Sequence, residues 1–282
     1  MIRLARSHAQ FPERLRAIFD PPPALYVRGS GDTELLRRRA VAIVGARSCS
    51  PYGAQVARTL GRELAAAGLV VVSGLARGID GEAHKGSLEA GGPTVGVLGC
   101  GIDRDYPAVN AALSRRIEDG GLVVSEYEPG VEPAPWRFPA RNRIIAGLSE
   151  AVVVVEARER SGALITAGFA LEEGREVFAV PGEITSALSA GTNALLKLGA
   201  AVLTSPDDVL DVLGIDRAAA AADPDVSETA ERVLSLVRDG PVGPDELSVR
   251  ASLEAGAVSV ALTELELAGL VTAGDGVYRA VR

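Results

Sequence analysis

Cysteine, histidine and long apolar runs are scarce in this chain of 282 residues. The only cysteines, Cys49 and Cys100, form no CxxC pair, and His8 and His84 are the only histidines, so neither a zinc site nor a disulfide is indicated. No apolar run approaches the ~18 residues of a membrane-spanning helix, and the N-terminus has none of signal-peptide length. We therefore predict a cytoplasmic protein with no metal site and no membrane segment.

Two common nucleotide-binding motifs are also absent. A dinucleotide fingerprint needs GxGxxG after the first strand and an acidic residue after the second, whereas here the spacing runs from Gly45 to Gly53 and the second strand ends in Ser73 and Gly74. No GxxxxGK[ST] loop occurs, and no Ser-His-Asp arrangement is recognisable. The sequence thus gives no case for NAD binding or ATP hydrolysis, and we expect no cofactor and no catalytic residues.

The net charge of -8 is unevenly distributed along the chain. Residues 217–282 contain six arginines and eleven acidic residues, a balance of -5, which leaves -3 for residues 1–216. An acidic total does not exclude nucleic acid, because net charge averages over surfaces that can carry a local basic patch. We expect any basic site to lie within the first 216 residues.

Short apolar runs alternate with amphipathic stretches through most of the chain. The runs are VAIVG from Val41, LVVVSG from Leu69, TVGVLG from Thr94, LVVSE from Leu122, AVVVVEA from Ala151, VFAVPG from Val177 and AVLTS from Ala201. Stretches between them, such as YGAQVARTLGRELAAAG, have apolar residues at helical spacing. This alternation predicts an α/β fold, an extended Rossmann-like and mainly parallel sheet of six or seven strands with helices on both faces.

The two ends of the chain differ from this pattern. Residues 1–40 contain a proline-rich turn and one short strand, which predicts an N-terminal extension packed on the sheet edge, ahead of a Rossmann-like domain over residues 41–214. Residues 215–227 are rich in Ala, Asp and Pro and are typical of a linker. Residues 228–282 hold three amphipathic segments followed by two short strands, which predicts a small C-terminal winged-helix domain.

Glycines, hydroxyls and arginines follow several of the predicted strands. GARSCSPYG follows the first strand, SGLARGID the second and RSGALITAG the fifth. Ligands of open parallel sheets bind beyond the carboxyl ends of the strands, where helix N–H groups attract phosphate. Any α/β sheet uses small residues at such turns, so one turn alone indicates little. Several together, two of them carrying Arg47 and Arg77, favour an anion site.

Residues 136–149, WRFPARNRIIAGLS, place three arginines within seven positions. The proline suits the first turn of a helix, which would put Arg141 and Arg143 in that turn, where a cation opposes the helix dipole. Trp136 and Phe138 could stack on unpaired bases, and single strands exploit this combination of rings and cations. The sequence therefore predicts a nucleic-acid surface in this stretch.

Structural interpretations of the same residues remain open. Trp136 and Phe138 could instead be core residues, with the arginines paired to glutamates at 126, 128 or 150. Asp80 is expected to be the N-cap of the following helix, and His84 a residue on the surface of that helix.

Taken in order, these segments closely resemble the DNA-processing protein A family, also called DprA or Smf. The matching pieces are FPERLRAIFDPPPALYVRG, VAIVGARSCSPYG, VVSGLARGIDGEAHKGSLEAGGPTVGVLGCGID, YP at Tyr106 and Pro107, SEYEPG, FPARNRIIAGLSEAVVVVEARERSGALITAGFALEEGREVFAVPGEI and GTNALLKLGA. The resemblance spans roughly residues 11–213 and is far more specific than a lone glycine motif.

The resemblance implies a protein that binds single-stranded DNA, protects incoming strands during natural transformation, and loads the RecA recombinase onto them for recombination. It also implies a homodimer formed by the Rossmann domain near its last helix and strand, and no known enzymatic turnover. Carried over by position, the DNA site comprises Gly45, Arg47, Ser73, Gly74, Arg77, Gly78, Phe138, Arg141, Asn142, Arg143, Ser161 and Gly162, with Arg137 and Lys197 as extensions.

The chain departs from this family in two ways. Many relatives carry an N-terminal helical SAM-like domain, and this sequence starts too late to contain one. The C-terminal winged helix usually indicates duplex DNA, but the balance of -5 over residues 217–282 opposes contact with phosphates. We expect the winged helix to have a protein-contact or structural role.

Two other functions remain as alternatives. A Rossmann-like nucleotide or phosphoribosyl hydrolase, similar in outline to the lysine-decarboxylase-like phosphoribohydrolases, would need a GGxGT loop followed by a glutamate. The segment RSGALITAGFALEEG imitates that loop only loosely, because it lacks the paired glycines. A protein scaffold without a ligand would leave Arg47 and Arg141 unexplained.

Overall fold

The computed structural model describes residues 1–215, 226–238, 240–268, 270–274 and 276–280. The chain divides into two compact units, Met1–Ala221 and Ala222–Arg282. Most of the expected linker, residues 216–225, lies outside the described residues.

The first unit is built on one nine-stranded sheet. Its strands are β1 (Ile2–Ala5), β2 (Ala24–Arg28), β3 (Ala40–Val44), β4 (Val70–Ser73), β5 (Thr94–Leu98), β6 (Leu122–Ser125), β7 (Ala151–Val154), β8 (Glu176–Ala179) and β9 (Ala201–Val202). They are arranged in the order β1-β2-β6-β5-β4-β3-β7-β8-β9. Strands β3 to β9 run parallel to one another, β2 is antiparallel to its neighbour β6, and β1 is antiparallel to β2. All seven predicted runs form strands, and the predicted mainly parallel α/β sheet is confirmed.

The N-terminal residues add two strands to the sheet, where the sequence predicted one. β2 pairs with β6, and β1 pairs with the outer side of β2. The sequence pattern missed β1 because this four-residue edge strand buries only Leu4 completely. A run with one buried position lacks the repeated apolar signal that identifies a strand.

Helices cover both faces of the sheet. They are α1 (Glu13–Arg16), α2 (Pro51–Ala66), α3 (Ile79–Glu89), α4 (Ala111–Glu118), α5 (Arg137–Leu148), α6 (Gly162–Glu172), α7 (Ala190–Lys197) and α8 (Pro206–Leu213), with short 3₁₀ turns at Thr33–Leu36 and Ala108–Asn110. In β3, Ala42 and Val44 belong to the core beneath α5 and α6, whereas Val41 and Ile43 belong to the core beneath α2 and α3. Both faces of each central strand are thus buried, which explains why the strands are continuous apolar runs.

The strand order reverses direction between β3 and β7. From β3 the chain continues to β4 and β5 on one side, and it later returns to place β7 on the other side of β3. The connections after β3 and β7 therefore diverge and leave a crevice at the carboxyl ends of these strands, which is the usual ligand position in open α/β sheets.

The second unit contains three helices and a hairpin with their own core. The elements are α9 (Glu228–Arg238), α10 (Pro244–Ala251), α11 (Ala255–Leu267) and the antiparallel pair β10 (Val271–Gly274) and β11 (Val277–Ala280). Its core includes Val233, Leu247 and Leu262, all almost fully buried. The predicted winged-helix fold is confirmed. None of the described helices in the chain combines the length and hydrophobicity that a membrane crossing requires.

Candidate nucleic-acid interface

A cleft with two lobes lies at the carboxyl ends of the central strands. The first lobe has a volume of about 210 Å³ and the second about 320 Å³. Both lobes are lined by Arg47, Ala76, Phe138 and Arg141. The first lobe extends between α5 and the start of α6, and the second extends toward the loop that follows β5. The cleft thus occupies the switch point of the sheet.

Two interlocked turns position Arg47 at the edge of this cleft. The backbone N–H of Ile79, at the start of α3, donates to the carbonyl of Ala46 at 3.2 Å. Gly78 has φ +75°, and a Cβ there would overlap the same carbonyl, so only glycine fits this turn. The Arg47 side chain is exposed, and no acidic side chain among the described residues forms an ion pair with it. Its charge is available to a ligand.

An aromatic pair lines the cleft, with Phe138 in both lobes and Tyr106 in the second. The ring centroids of Tyr106 and Phe138 are 5.2 Å apart, with an interplanar angle of 26°. The Phe138 ring packs on Gly99, where an added Cβ would come within 2.8 Å of a ring carbon. Tyr106 remains 42% exposed. The pair therefore offers an accessible stacking surface beside Arg47.

The loop that carries Tyr106 is anchored by the N-terminal part of the chain. Arg28 of β2 donates to Asp105 at 2.5 Å and to the hydroxyl of Ser114 at 3.0 Å. The Arg28 side chain is only 16% exposed. This ion pair holds the residue next to Tyr106 and gives the N-terminal strands a part in shaping the cleft.

Arg141 lies at the base of both lobes as a buried cation. Its guanidinium donates to the carbonyls of Gly74, at 2.9 Å, and Val97, while its Nε donates to the Asn142 side chain at 3.2 Å. Burial lowers the pKa of Arg141 to about 10, with Asp80 opposing that shift, so the side chain is protonated at neutral pH. A fixed positive charge therefore lies under the cleft.

The helix carrying this arginine begins earlier than the sequence predicted. α5 starts at Arg137, because Trp136 already has helical backbone angles, and Arg141 and Arg143 therefore lie in the second turn. The prediction that they occupy the first turn was wrong, and the dipole argument does not apply to them. Pro139 is the third residue of α5, where its missing N–H costs no intrahelical hydrogen bond.

Asp80 and His84 both differ from the structural roles expected for them. The N-cap of α3 is Gly78, and Asp80 instead accepts hydrogen bonds from the backbone N–H groups of Gly74, at 3.1 Å, and Ala76, at 3.4 Å. Burial raises the pKa of Asp80, while the charge of Arg141 opposes that rise. His84 is fully buried, not on the helix surface. Asp80 thus holds the turn between β4 and α3, and the Nδ1 atom of His84 lies 2.7 Å from the hydroxyl of Thr94 in β5.

The start of α6 forms the far wall of the first lobe. Ser161 caps the helix by accepting the backbone N–H of Ala163 at 3.3 Å. Asn142 of α5 donates to the carbonyl of Gly162 at 3.0 Å and so joins the two helices. Ser161, Gly162 and Thr166 line the lobe together with Asn142. Ser161 and Gly162 of RSGALITAG thus meet Phe138, Arg141 and Asn142 of FPARNR at one site.

Arg143 lies on another side of α5, outside the cleft lining. Both of its terminal nitrogens bind the Glu126 carboxylate at 2.7 Å, and its Nε lies 2.9 Å from a carboxylate oxygen of Asp20. The side chain is 12% exposed. The alternative interpretation, in which an arginine of this stretch pairs with Glu126, therefore describes Arg143.

Four further expected residues also lie outside the lining of the cleft: Arg137, Lys197, Ser73 and Gly78, whose contact with the Ala46 carbonyl is described above. Arg137 stacks between Trp136, 4.9 Å from its ring centroid, and Tyr127, at 5.1 Å. Trp136 is 63% exposed and is not a core residue. Lys197 is exposed at the end of α7. Ser73 is fully buried, and its hydroxyl donates to the carbonyl of Ile43 at 2.6 Å.

Tyr106 was not among the site residues expected from the sequence. It belongs to the YP pair of the resemblance, but nothing in its local pattern shows that it stacks on Phe138. The available signal was an aromatic residue in a loop that follows a central parallel strand, since such loops meet at one edge of the sheet.

The described residues contain no cluster of His, Cys, Asp or Glu that could hold a metal ion. The class of protein is therefore a Rossmann-like α/β protein with a basic and aromatic cleft at the switch point of its sheet, followed by a winged-helix domain. The model of the DNA recombination-mediator protein A family matches residues 3–214, and the DprA winged helix domain model matches residues 217–276. This chain belongs to the DNA recombination-mediator protein A family.

Individual relatives agree with this assignment. The chain is 44% identical to DNA processing protein DprA of Bacillus subtilis, over 73% of this chain and 69% of that protein. It is 41% identical to protein Smf of Escherichia coli, over 96% of this chain and 75% of that protein.

Two solved structures are also similar. The X-ray structure of DprA from Streptococcus pneumoniae has a TM-score of 0.71 and 45% identity, covering 74% of this chain and 73% of that one. A structure of DNA processing protein A from Helicobacter pylori, reported for its single-stranded DNA binding mode, has a TM-score of 0.66 and 36% identity, covering 72% and 92%.

Proposed function

We propose that this chain binds single-stranded DNA in the two-lobed cleft and acts in DNA processing without a catalytic step of its own. The observation that carries the proposal is the accessible Tyr106 and Phe138 pair next to the exposed guanidinium of Arg47. Unpaired bases stack on exposed rings while cations attract the phosphates, and paired bases cannot reach such rings. Membership of the family and the single-stranded DNA binding of the Helicobacter pylori relative support it.

The residues proposed to contact DNA are those that line the cleft. They are Gly45, Arg47, Gly74, Arg77, Phe138, Arg141, Asn142, Ser161 and Gly162, which the sequence indicated, together with Tyr106. Ser73 and Gly78 shape the turns beneath them. The exposed Lys197 and the half-buried Arg137 are proposed to meet a longer strand, whereas the paired Arg143 is proposed to hold α5 in place.

The resemblance to the family supports a more specific cellular role for this DNA binding. We propose protection of incoming strands during natural transformation, loading of RecA onto those strands, and a homodimer formed by the Rossmann domain near its last helix and strand, α8 and β9. In support of the homodimer, Leu198 is 85% exposed and Val202 is 55% exposed at this end of the sheet. Failure of the protein to speed RecA filament formation on coated single strands would remove the RecA step and leave DNA binding intact.

The direct test is a titration of the protein into fluorescein-labelled oligo-dT across a series of salt concentrations. We expect affinity to fall linearly on a log–log plot, and Arg47→Ala to weaken binding about tenfold and to reduce the magnitude of the salt slope by about 1. Arg115→Ala is the control, because Arg115 is exposed near the end of α4, which runs away from the carboxyl ends of the strands. Its curve should match that of the unmodified protein.

Two outcomes would contradict the proposal. One is an oligo-dT affinity that responds equally to Arg47→Ala and Arg115→Ala. The other is tight binding of mononucleotides with release of the base, which would instead indicate the hydrolase alternative.

A further inference from the structure

The N-terminus of α2 is occupied by a side chain from the other side of the switch point. Glu156, just after β7, is only 5% exposed. Its carboxylate accepts the backbone N–H of Ser50 at 2.9 Å and also the hydroxyl of Ser50. Ser50 is the N-cap of α2, and its hydroxyl oxygen accepts the N–H of Gly53 at 3.0 Å. A carboxylate, its serine partner and the first turn of the helix thus form one hydrogen-bonded group.

Gly53 makes room for this carboxylate. A Cβ at position 53 would overlap the carboxyl carbon of Glu156. Gly53 lies inside a regular helix with no positive φ, so its backbone conformation does not require glycine. What requires glycine here is the close approach of the Glu156 carboxylate.

The same device recurs at the neighbouring turn. The carboxylate of Asp80 accepts the backbone N–H groups of Gly74 and Ala76 between β4 and α3. Both turns next to the cleft therefore have backbone donors directed at carboxylates of the chain itself. In open α/β sheets such donors ordinarily bind the phosphates of a ligand.

We infer that Glu156 is a built-in anion that occupies the phosphate position at the N-terminus of α2 and excludes free phosphate and nucleotide pyrophosphate from it. Its charge interacts favourably with the helix dipole. Its carboxylate satisfies the N–H of Ser50, and the Ser50 hydroxyl satisfies that of Gly53, so two donors that a ligand would otherwise use are occupied. Glu156 is in this sense a specificity-determining residue. If the proposed function holds, the phosphates of DNA are bound by the arginine side chains, which a DNA strand can reach. A small nucleotide bound at a helix N-terminus would not need those side chains.

The experiment compares thermal unfolding of the full chain in inorganic phosphate and in chloride at equal ionic strength. Glu156→Ala opens the position, and its unfolding midpoint should rise by several degrees in phosphate. The unmodified protein and Glu156→Gln, whose side chain still fills the position, should show no such rise. Leu64→Ala, a core variant of α2, controls for the general effect of phosphate on a weakened protein.

A phosphate response of Glu156→Ala no larger than that of Leu64→Ala would overturn the inference. Glu156→Gln supplies a second criterion should Glu156→Ala not fold in either salt. Loss of the negative charge should lower its unfolding midpoint, and a midpoint equal to that of the unmodified protein would also overturn the inference. Neither readout depends on DNA, so failure of the oligo-dT titration would leave this result unaffected.

Discussion

The guanidinium of Arg47 lies over the ring of Phe138, 5.5 Å from the ring centroid. Phe138 in turn stacks on Tyr106, so the three side chains form one cluster of contacts drawn from three separate parts of the chain. Arg47 comes from the turn after β3, Phe138 from the first turn of α5 and Tyr106 from the loop after β5. Only the folded sheet brings them together.

Removal of the Phe138 ring, which contacts both Arg47 and Tyr106, should weaken binding of single-stranded DNA. We expect Phe138→Ala to cost about 1–3 kcal/mol of binding free energy, roughly five- to 150-fold in affinity, because the stacking surface that Phe138 forms with Tyr106 is lost. Fluorescence anisotropy with labelled oligo-dT measures this loss. Trp136→Ala is the aromatic control, since this ring is exposed nearby but does not line the cleft. Equal losses of affinity for both variants would contradict the proposal that bases stack at Phe138.

Gly78 should tolerate no side chain, whereas Gly81, three residues further along the chain, should tolerate one. We expect Gly78→Ala to destabilise the protein by about 3 kcal/mol, because its φ is +75° and the new Cβ would overlap the carbonyl of Ala46. Gly81 in α3 has ordinary φ, and the nearest atom to its Cβ would lie at 3.4 Å. Gly81→Ala should leave stability unchanged or raise it by up to about 1 kcal/mol. Urea unfolding of both variants gives the comparison, and equal midpoints would contradict the close approach of the two turns.

The sequence predicts the core of this fold well because each central strand is buried on both faces. Runs such as AVAIV in β3 are therefore unambiguous. The edge strand β1, with Leu4 as its one fully buried residue, carries no comparable signal. At the site, the sequence indicated Arg47 and Arg141, but it could not separate a free arginine from a paired one. That distinction depends on partners such as Glu126, which comes close to Arg143 only through the packing of α5 on the sheet.

The winged helix should not bind duplex DNA at moderate salt. Helix α11 (Ala255–Leu267), its third helix, has Glu264 and Glu266 but no Lys or Arg, so it offers phosphates no attraction. Residues 217–282 contain a core of their own and can be tested separately, with circular dichroism to verify the fold. In ~150 mM salt we expect no mobility shift of a labelled duplex. A measurable shift would refute this prediction and restore the usual role of a winged helix.

His84 should make the stability of the protein sensitive to mild acid. Its Nδ1 lies 2.7 Å from the hydroxyl of Thr94, which itself donates to the carbonyl of Val71, so the imidazole Nδ1–H must be the donor to Thr94. The Nε2 atom is buried with no hydrogen-bond partner among the described residues. A second proton on this ring would be a buried, unpaired charge, and burial accordingly lowers the pKa of His84 from 6.5 to about 3.

The sign of the effect follows from that lowered pKa. The unfolded chain binds the proton near pH 6.5 and the folded chain does not, so the stability due to neutral His84 is complete above pH 6.5 and declines as the pH falls toward about 3. The decline is about 1.4 kcal/mol per pH unit, or about 2 kcal/mol between pH 6.5 and 5. His84→Asn keeps a donor for Thr94 and cannot titrate, so its free energy of unfolding should fall less over this range. Carboxylates and the exposed His8 are present in both proteins and cancel in the difference, so parallel pH profiles would show that His84 does not resist protonation in the folded state.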